Sequence, residues 1–229
     1  MSIFRISERG VRSGAIASTV AFVCLAVLYF IPADIPHKIA FPLAALTAAS
    51  LWLCPWQISL ALAASAAGDL AGSFGNLIVQ MGMFAVAHAM FILHFVKRYR
   101  EKVRKAGKPS EKTTGYTFLI VCMCLVTAAF SYAKIVSNAP EGMLRTGCGI
   151  YVALICIMLC LAFLQRSSLY ALGALLFVFS DFILGWNLFT APIENAGWLI
   201  MVPYYLGQWL IYIRSTSFRV GPEMRLMRF

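Results

Sequence analysis

Between Ile39 and Val96 the chain carries a single acidic or basic residue, histidines aside, and that residue is Asp69. A stretch this long and this apolar leaves few folds open. A helix needs about 20 apolar residues to cross the hydrocarbon layer of a bilayer, and helices satisfy their own backbone groups there. The rest of the chain is similar: 61% of residues are hydrophobic and 12% are charged, whereas soluble domains are about a quarter charged. Too little polar surface exists to cover a soluble fold of 229 residues. The class that remains is an all-α, polytopic membrane protein.

Eight apolar segments predict eight transmembrane helices: 14–31, 38–54, 56–72, 76–96, 114–134, 143–164, 168–188 and 196–213. Together they form one integral membrane domain spanning 1–229. Proline- and glycine-bearing breaks such as IPADIPHK, GSFG, SNAPEG and TAPIEN punctuate them, and no charge marks the turn at Cys54–Pro55–Trp56. Arg5, Arg9 and Arg12 precede the first segment, but no small-x-small cleavage site follows it, so it reads as a retained helix. The sequence places the protein in a membrane as a multi-pass chain, in the cell or inner membrane if the source is bacterial.

The net charge of +10 invites a nucleic-acid reading, but its distribution argues against one. Eight Lys/Arg fall in KRYREKVRKAGKPSEK, within a basic cytoplasmic loop over 97–113. With eight spans and both termini cytoplasmic, 16 of the 19 Lys/Arg lie on the inside, as the positive-inside rule requires. Such clusters set topology and contact anionic membrane lipid. Seven cysteines, nearly all within apolar runs, have no histidine or carboxylate beside them at metal-ligand spacing, so they read as small packing residues and no metal is expected.

The second feature is a pair of isolated carboxylates. Asp69 sits in ASAAGDLAG, and Asp181 is the only charged residue between Ser167 and Ile193. An aspartate at the centre of a spanning helix costs about 2.5–3.5 kcal/mol on insertion scales. A satisfied interhelical hydrogen bond is one explanation and function is the other. Both lie about 13 residues along their helices, so about 20 Å deep at 1.5 Å per residue. ALAASAAGDLAG (61–72) and ALLFVFSDFILG (174–185) also share a small residue before Asp and a later Gly, consistent with a parallel repeat of four helices. Both aspartates would then run to matched depth and converge.

Other polar groups fall at compatible positions. His88 is mid-helix, where packing and chemistry are equally served; His94 reads as interfacial. Tyr204 and Gln208 share a face four residues apart, with Tyr205 alongside, and Pro203 permits a kink. Asn76 and Lys38 begin helices on the outer side, where Lys38 reaches a lipid phosphate or simply snorkels. Two carboxylates in a low-dielectric site suit acid–base work, since repulsion between them favours one protonated and one ionised member. Nothing resembles a G-x-S-x-G elbow, a phosphate loop or an H-E-x-x-H helix.

GALLFVFSD (173–181), ASAAGDLAG (64–72), GMFAVAH (82–88) and YYLGQWLI (204–211) resemble the YhhN-type lysoplasmalogenases over about residues 38–213. That resemblance implies an eight-helix membrane hydrolase with paired aspartates, a helix-borne histidine and a late Y-x-x-x-Q. It implies Asp69 and Asp181 as catalytic residues, with Lys38, Asn76, His88, Ser180, Tyr204, Tyr205 and Gln208 binding a lysophospholipid substrate. The reaction implied is cleavage of the vinyl ether of lysoplasmalogen to a fatty aldehyde and a glycerophospho-ethanolamine or -choline, with no cofactor and no nucleic-acid partner. Three residues after the histidine the family often has Tyr; here the position is Phe91, which brings no hydroxyl. A proton-coupled lipid or small-molecule transporter using the same two aspartates is the alternative; a partner-binding protein acting through the basic loop would leave both unexplained.

Overall fold

The computed structural model describes residues 8–106 and 111–216. Eight α-helices make up nearly all of it: α1 (Glu8–Phe30), α2 (Phe41–Leu53), α3 (Trp56–Ser73), α4 (Leu77–Ala106), α5 (Glu111–Lys134), α6 (Met143–Leu164), α7 (Ser168–Phe189) and α8 (Ala196–Thr216). Short 3₁₀ turns at Lys38–Ala40 and Val136–Asn138 lead into α2 and follow α5, and no strand occurs among the described residues. Five helical segments are long and apolar enough to cross a membrane: Glu8–Phe30, Leu77–Arg104, Thr114–Asn138, Met143–Leu164 and Ser168–Phe189. Of the remaining three, α2 is short, with 13 residues. In α3, Gln57, three serines and Asp69 dilute the apolar residues, and in α8 Pro203, Gly207 and Gln208 do so.

The boundaries follow from local chemistry. Pro55 adopts φ −61°, ψ 146° and Cys54 is extended, so α2 cannot continue and α3 starts at once. Asn76 accepts the Val79 amide on its side-chain oxygen at 3.1 Å, the usual means of satisfying a first-turn donor. Arg166 takes φ 49° in the tight link from α6 to α7.

The segment 97–113 departs from the expected loop. Helix α4 continues through it to Ala106, and α5 begins at Glu111; residues 107–110 lie outside the described residues. At 30 residues α4 is about 45 Å long, longer than the hydrocarbon layer of about 30 Å. Lys, Arg, Glu and Ala are good helix formers, and no Gly or Pro interrupts the run before Gly107. High charge marked this stretch as solvated without deciding its backbone.

Two compact units make up the chain, Met1–Ala87 with Gln208–Phe229, and His88–Gly207. In the first, Leu43, Leu46, Ile58, Leu62 and Ile211 are fully enclosed. Hydroxyls tie α1 to the last turns of α8: Ser18 and Tyr212 share a 2.7 Å hydrogen bond, and Trp209 Nε1 donates to Thr19 at 3.1 Å. In the second unit, Phe91, Phe95, Met158, Leu159, Tyr170 and Phe177 form the core. Within each unit, connections meet helix ends. His37 in the α1–α2 link bonds Ser73 at the end of α3 at 2.7 Å, and Thr190 after α7 donates to the Lys134 carbonyl at the end of α5.

One backbone approach in the second unit depends on the absence of a side chain. A Cβ at Gly207 would lie 2.7 Å from the Gly173 carbonyl oxygen and 3.1 Å from the Phe177 nitrogen. Both are backbone atoms that cannot rotate away. A Cβ at Gly82 would meet nothing within 4 Å. Gly207→Ala is therefore expected to lower stability by about 1–3 kcal/mol through overpacking, despite alanine's better helix propensity. Gly82→Ala should leave stability unchanged or slightly raised. Thermal denaturation of both variants in detergent measures the contrast.

Candidate functional site

Helices α6 and α7 form an antiparallel hairpin around Arg166. Tyr151 stands fifteen residues before it and Asp181 fifteen after, so the antiparallel pair brings them to one level. The Tyr151 hydroxyl donates to Asp181 Oδ2 at 2.7 Å. From α4, His88 places Nε2 3.7 Å from the same oxygen. His88 is fully buried, and the Asp181 side chain is 7% exposed. The imidazole is held on two sides, by the tilted ring of Phe177 at 4.7 Å and the ring of Tyr151 edge-on at 5.2 Å. Both polar neighbours address Oδ2.

Phe177 continues this cluster toward α8. Its ring meets Tyr204 edge-on at 5.4 Å, and Tyr204 lies 5.5 Å from Tyr205; both tyrosines are buried. The approach of α8 at Gly207 sets this contact. Ser180, next to Asp181 in the chain, is buried as well. Of the residues expected from sequence, the second unit thus joins Asp181, His88, Tyr204 and Tyr205 through one aromatic chain.

Asp69 belongs to the first unit. It lies on α3, 2% exposed, one turn beyond Ser65, whose hydroxyl accepts from Gln208 Nε2 at 2.8 Å. The phenol of Tyr29 on α1 interacts electrostatically with the Asp69 carboxylate. Gly68 and Gly72 let α4 come close: added Cβ atoms would sit 3.2 Å from the Phe84 ring and 2.6 Å from the Gln80 amide. Gln208 is fully buried, and its Oε1 has no hydrogen-bond partner among the described residues. Lys38 and Asn76 are occupied locally. The Lys38 ammonium donates to the Ile31 and Ala33 carbonyls at 2.6 and 3.0 Å, while Asn76 caps α4.

Sequence reasoning missed two groups that interact with the aspartates. Tyr151 was legible in principle from its symmetric spacing about the α6–α7 link. Tyr29 had no such signal, because α1 carried no motif. Phe91 is wholly buried and meets Phe177 edge-on at 6.4 Å; the hydroxyl at Asp181 comes instead from α6. His94, expected at an interface, is 3% exposed and shares a 3.2 Å hydrogen bond with Tyr170. No group of three His, Cys, Asp or Glu placed to hold a metal occurs among the described residues.

The family model described as YhhN family matches residues 36–215, from just before α2 to the last turn of α8. No curated protein and no solved structure matches the chain.

The Tyr151–Asp181 hydrogen bond is expected to couple the two side chains by about 0.6–1.7 kcal/mol, the range seen for interhelical bonds in membranes. Tyr151→Phe should destabilise the native protein but cost less when Asp181→Ala is already present. A double-mutant cycle by denaturation in mixed micelles reads the coupling; additivity would mean the bond contributes nothing.

Proposed function

This chain belongs to the YhhN family, and from that membership we propose that it is an intramembrane hydrolase that cleaves the vinyl ether bond of lysoplasmalogen. The observation that carries the reading is the Asp181 carboxylate, 7% exposed inside an apolar helix and oriented by Tyr151 at 2.7 Å. A purely structural aspartate would be as well served by any single hydrogen bond. Here a histidine 3.7 Å away also addresses the same oxygen, leaving Oδ1 to a ligand.

Hydrolysis of a vinyl ether begins with a proton delivered to the β-carbon, which converts the C=C–O unit into an oxocarbenium ion. Water then adds to the α-carbon and loses a proton, giving a hemiacetal. Collapse of the hemiacetal breaks the remaining C–O bond and releases a fatty aldehyde and the glycerophospho-ethanolamine or -choline. The proton spent in the first step is returned in the second, so the reaction consumes water alone and draws on no cofactor. Protonation at carbon is slow, and a positioned carboxylic acid is a suitable donor. A carboxylate nearby stabilises the cation and accepts the proton of the attacking water. We assign these two roles to Asp69 and Asp181 as a pair. We assign binding of the lysophospholipid to His88, Ser180, Tyr204, Tyr205, Gln208, Lys38 and Asn76.

The same reading keeps all eight helices in the bilayer with both termini cytoplasmic. That arrangement keeps 16 of the 19 Lys/Arg inside and treats the two four-helix halves as a parallel repeat.

Purified protein supplied with lysoplasmalogens is expected to release fatty aldehyde, and ester lysolipids to give no free fatty acid. Asp69→Asn and Asp181→Asn should each lower aldehyde release by about 10²–10⁴-fold in variants that elute as the native species does on size exclusion. Full activity in both would remove the aspartates from the mechanism. Movement of lysolipid into liposomes with no aldehyde formed would replace hydrolysis by proton-coupled transport.

A further inference from the structure

The cations of the α4 extension divide into two sets by helical phase. Arg98 and Lys102 point toward the α6–α7 link. Arg98 Nε donates to Gln165 Oε1 at 3.2 Å, its Nη1 to the Tyr170 hydroxyl at 3.4 Å, and its guanidinium stacks 5.0 Å from the Tyr170 ring. Lys102 Nζ donates to the Gln165 carbonyl at 2.6 Å. Gln165 in turn donates to the Phe95 and Leu161 carbonyls. These two cations pin the extension to the protein.

Lys97, Arg100 and Arg104 occupy a different arc, roughly 150° around the helix from the first set. All three are exposed. They share their arc with Leu93, Val96 and Val103 and border an open cavity of about 760 Å³ together with them, Tyr99 and Glu101. Glu101 is the one carboxylate among these lining residues, so the face keeps a net charge of +2. The apolar part of α4 ends at Val96 and the cations begin at Lys97, which sets this face at the level where hydrocarbon gives way to headgroups.

We propose that this arc of α4 is a binding site for an anionic phospholipid, with Lys97, Arg100 and Arg104 on the phosphate and Leu93 and Val96 along the upper acyl chain. A soluble anion would use the cations and leave the apolar half of the arc unused. A zwitterionic lipid would use the apolar half and leave the charge uncompensated. An anionic lipid satisfies both, and surface cations each add about 1 kcal/mol, or about fivefold, to such binding. The site shares no residue with the aspartate clusters and does not depend on the hydrolase reading.

The test is native mass spectrometry of the full chain in detergent, titrated with phosphatidylglycerol and, separately, with phosphatidylcholine of the same acyl chains. Tighter binding of phosphatidylglycerol is expected. The combined change Lys97→Gln, Arg100→Gln, Arg104→Gln should weaken it on the order of a hundredfold, with phosphatidylcholine unaffected. Arg98→Gln with Lys102→Gln should lower the thermal midpoint yet keep the preference. Should the triple variant misfold, Arg100→Glu alone is expected to lose about tenfold and Arg100→Lys to retain native affinity. Equal binding of the two lipids, or an undiminished preference in the folded triple variant or in Arg100→Glu, would overturn the proposal. So would displacement of phosphatidylglycerol by an equal concentration of glycerol phosphate, which would make this a site for soluble anions.

Discussion

A helix that enters hydrocarbon leaves water behind, and every polar group it carries must then find its partner within the protein. Asp181 is the place where that demand is hardest to meet. The carboxylate sits midway along a helix with no other charge, so its neighbours had to come from other helices. The α6–α7 hairpin supplies one by geometry alone: a tight link at Arg166 aligns positions equally spaced on either side of it, and Tyr151 becomes the donor. His88 then enters from α4, wedged between the same tyrosine and Phe177. The cluster around the aspartate is therefore assembled by helix packing rather than by a loop, which holds its groups in fixed directions.

Much of this architecture was legible in the sequence because the bilayer simplifies the code. Apolar length alone located the helices; Trp56, Ser168 and Met143 begin helices where the apolar segments predicted them, to the residue. The split at Cys54–Pro55 was readable from proline chemistry even without a charge to mark it. Two kinds of information were not encoded locally. The α4 extension looked like a loop because charge reports solvation; its helix formers are local, but the contacts that dock it, at Gln165, lie some 60 residues away in sequence. The partner of Asp181 was likewise a matter of register between helices, which no single segment contains. Phe91 shows the same limit from the other side: the missing hydroxyl of one helix had a counterpart on another.

The first helix lies outside the region 36–215 that the family model matches, yet it is not an appendage. Its Ser18 and Thr19 bond to Tyr212 and Trp209 on α8. At its far end Tyr29 interacts with Asp69. Interhelical hydrogen bonds in membranes are individually modest, but here two of them fix the register of α1 against α8, and register decides what Tyr29 reaches.

Charge in this chain serves more than topology. Counting Lys and Arg predicts which connections stay inside, and for that purpose all basic residues of the 97–104 stretch are equivalent. In the folded chain they are not. Arg98 and Lys102, four residues apart, fall on one side and are consumed by Gln165 and Tyr170. Lys97, Arg100 and Arg104 fall on another and stay open. The helix itself makes this division, since a loop would impose no phase on successive side chains. Because α4 remains helical past the apolar boundary, a cluster that would otherwise repel and spread is split into an internal anchor and an outward face. The anchor holds the end of α4 in place, and the same helix carries His88 to Asp181 about three turns before the anchor begins.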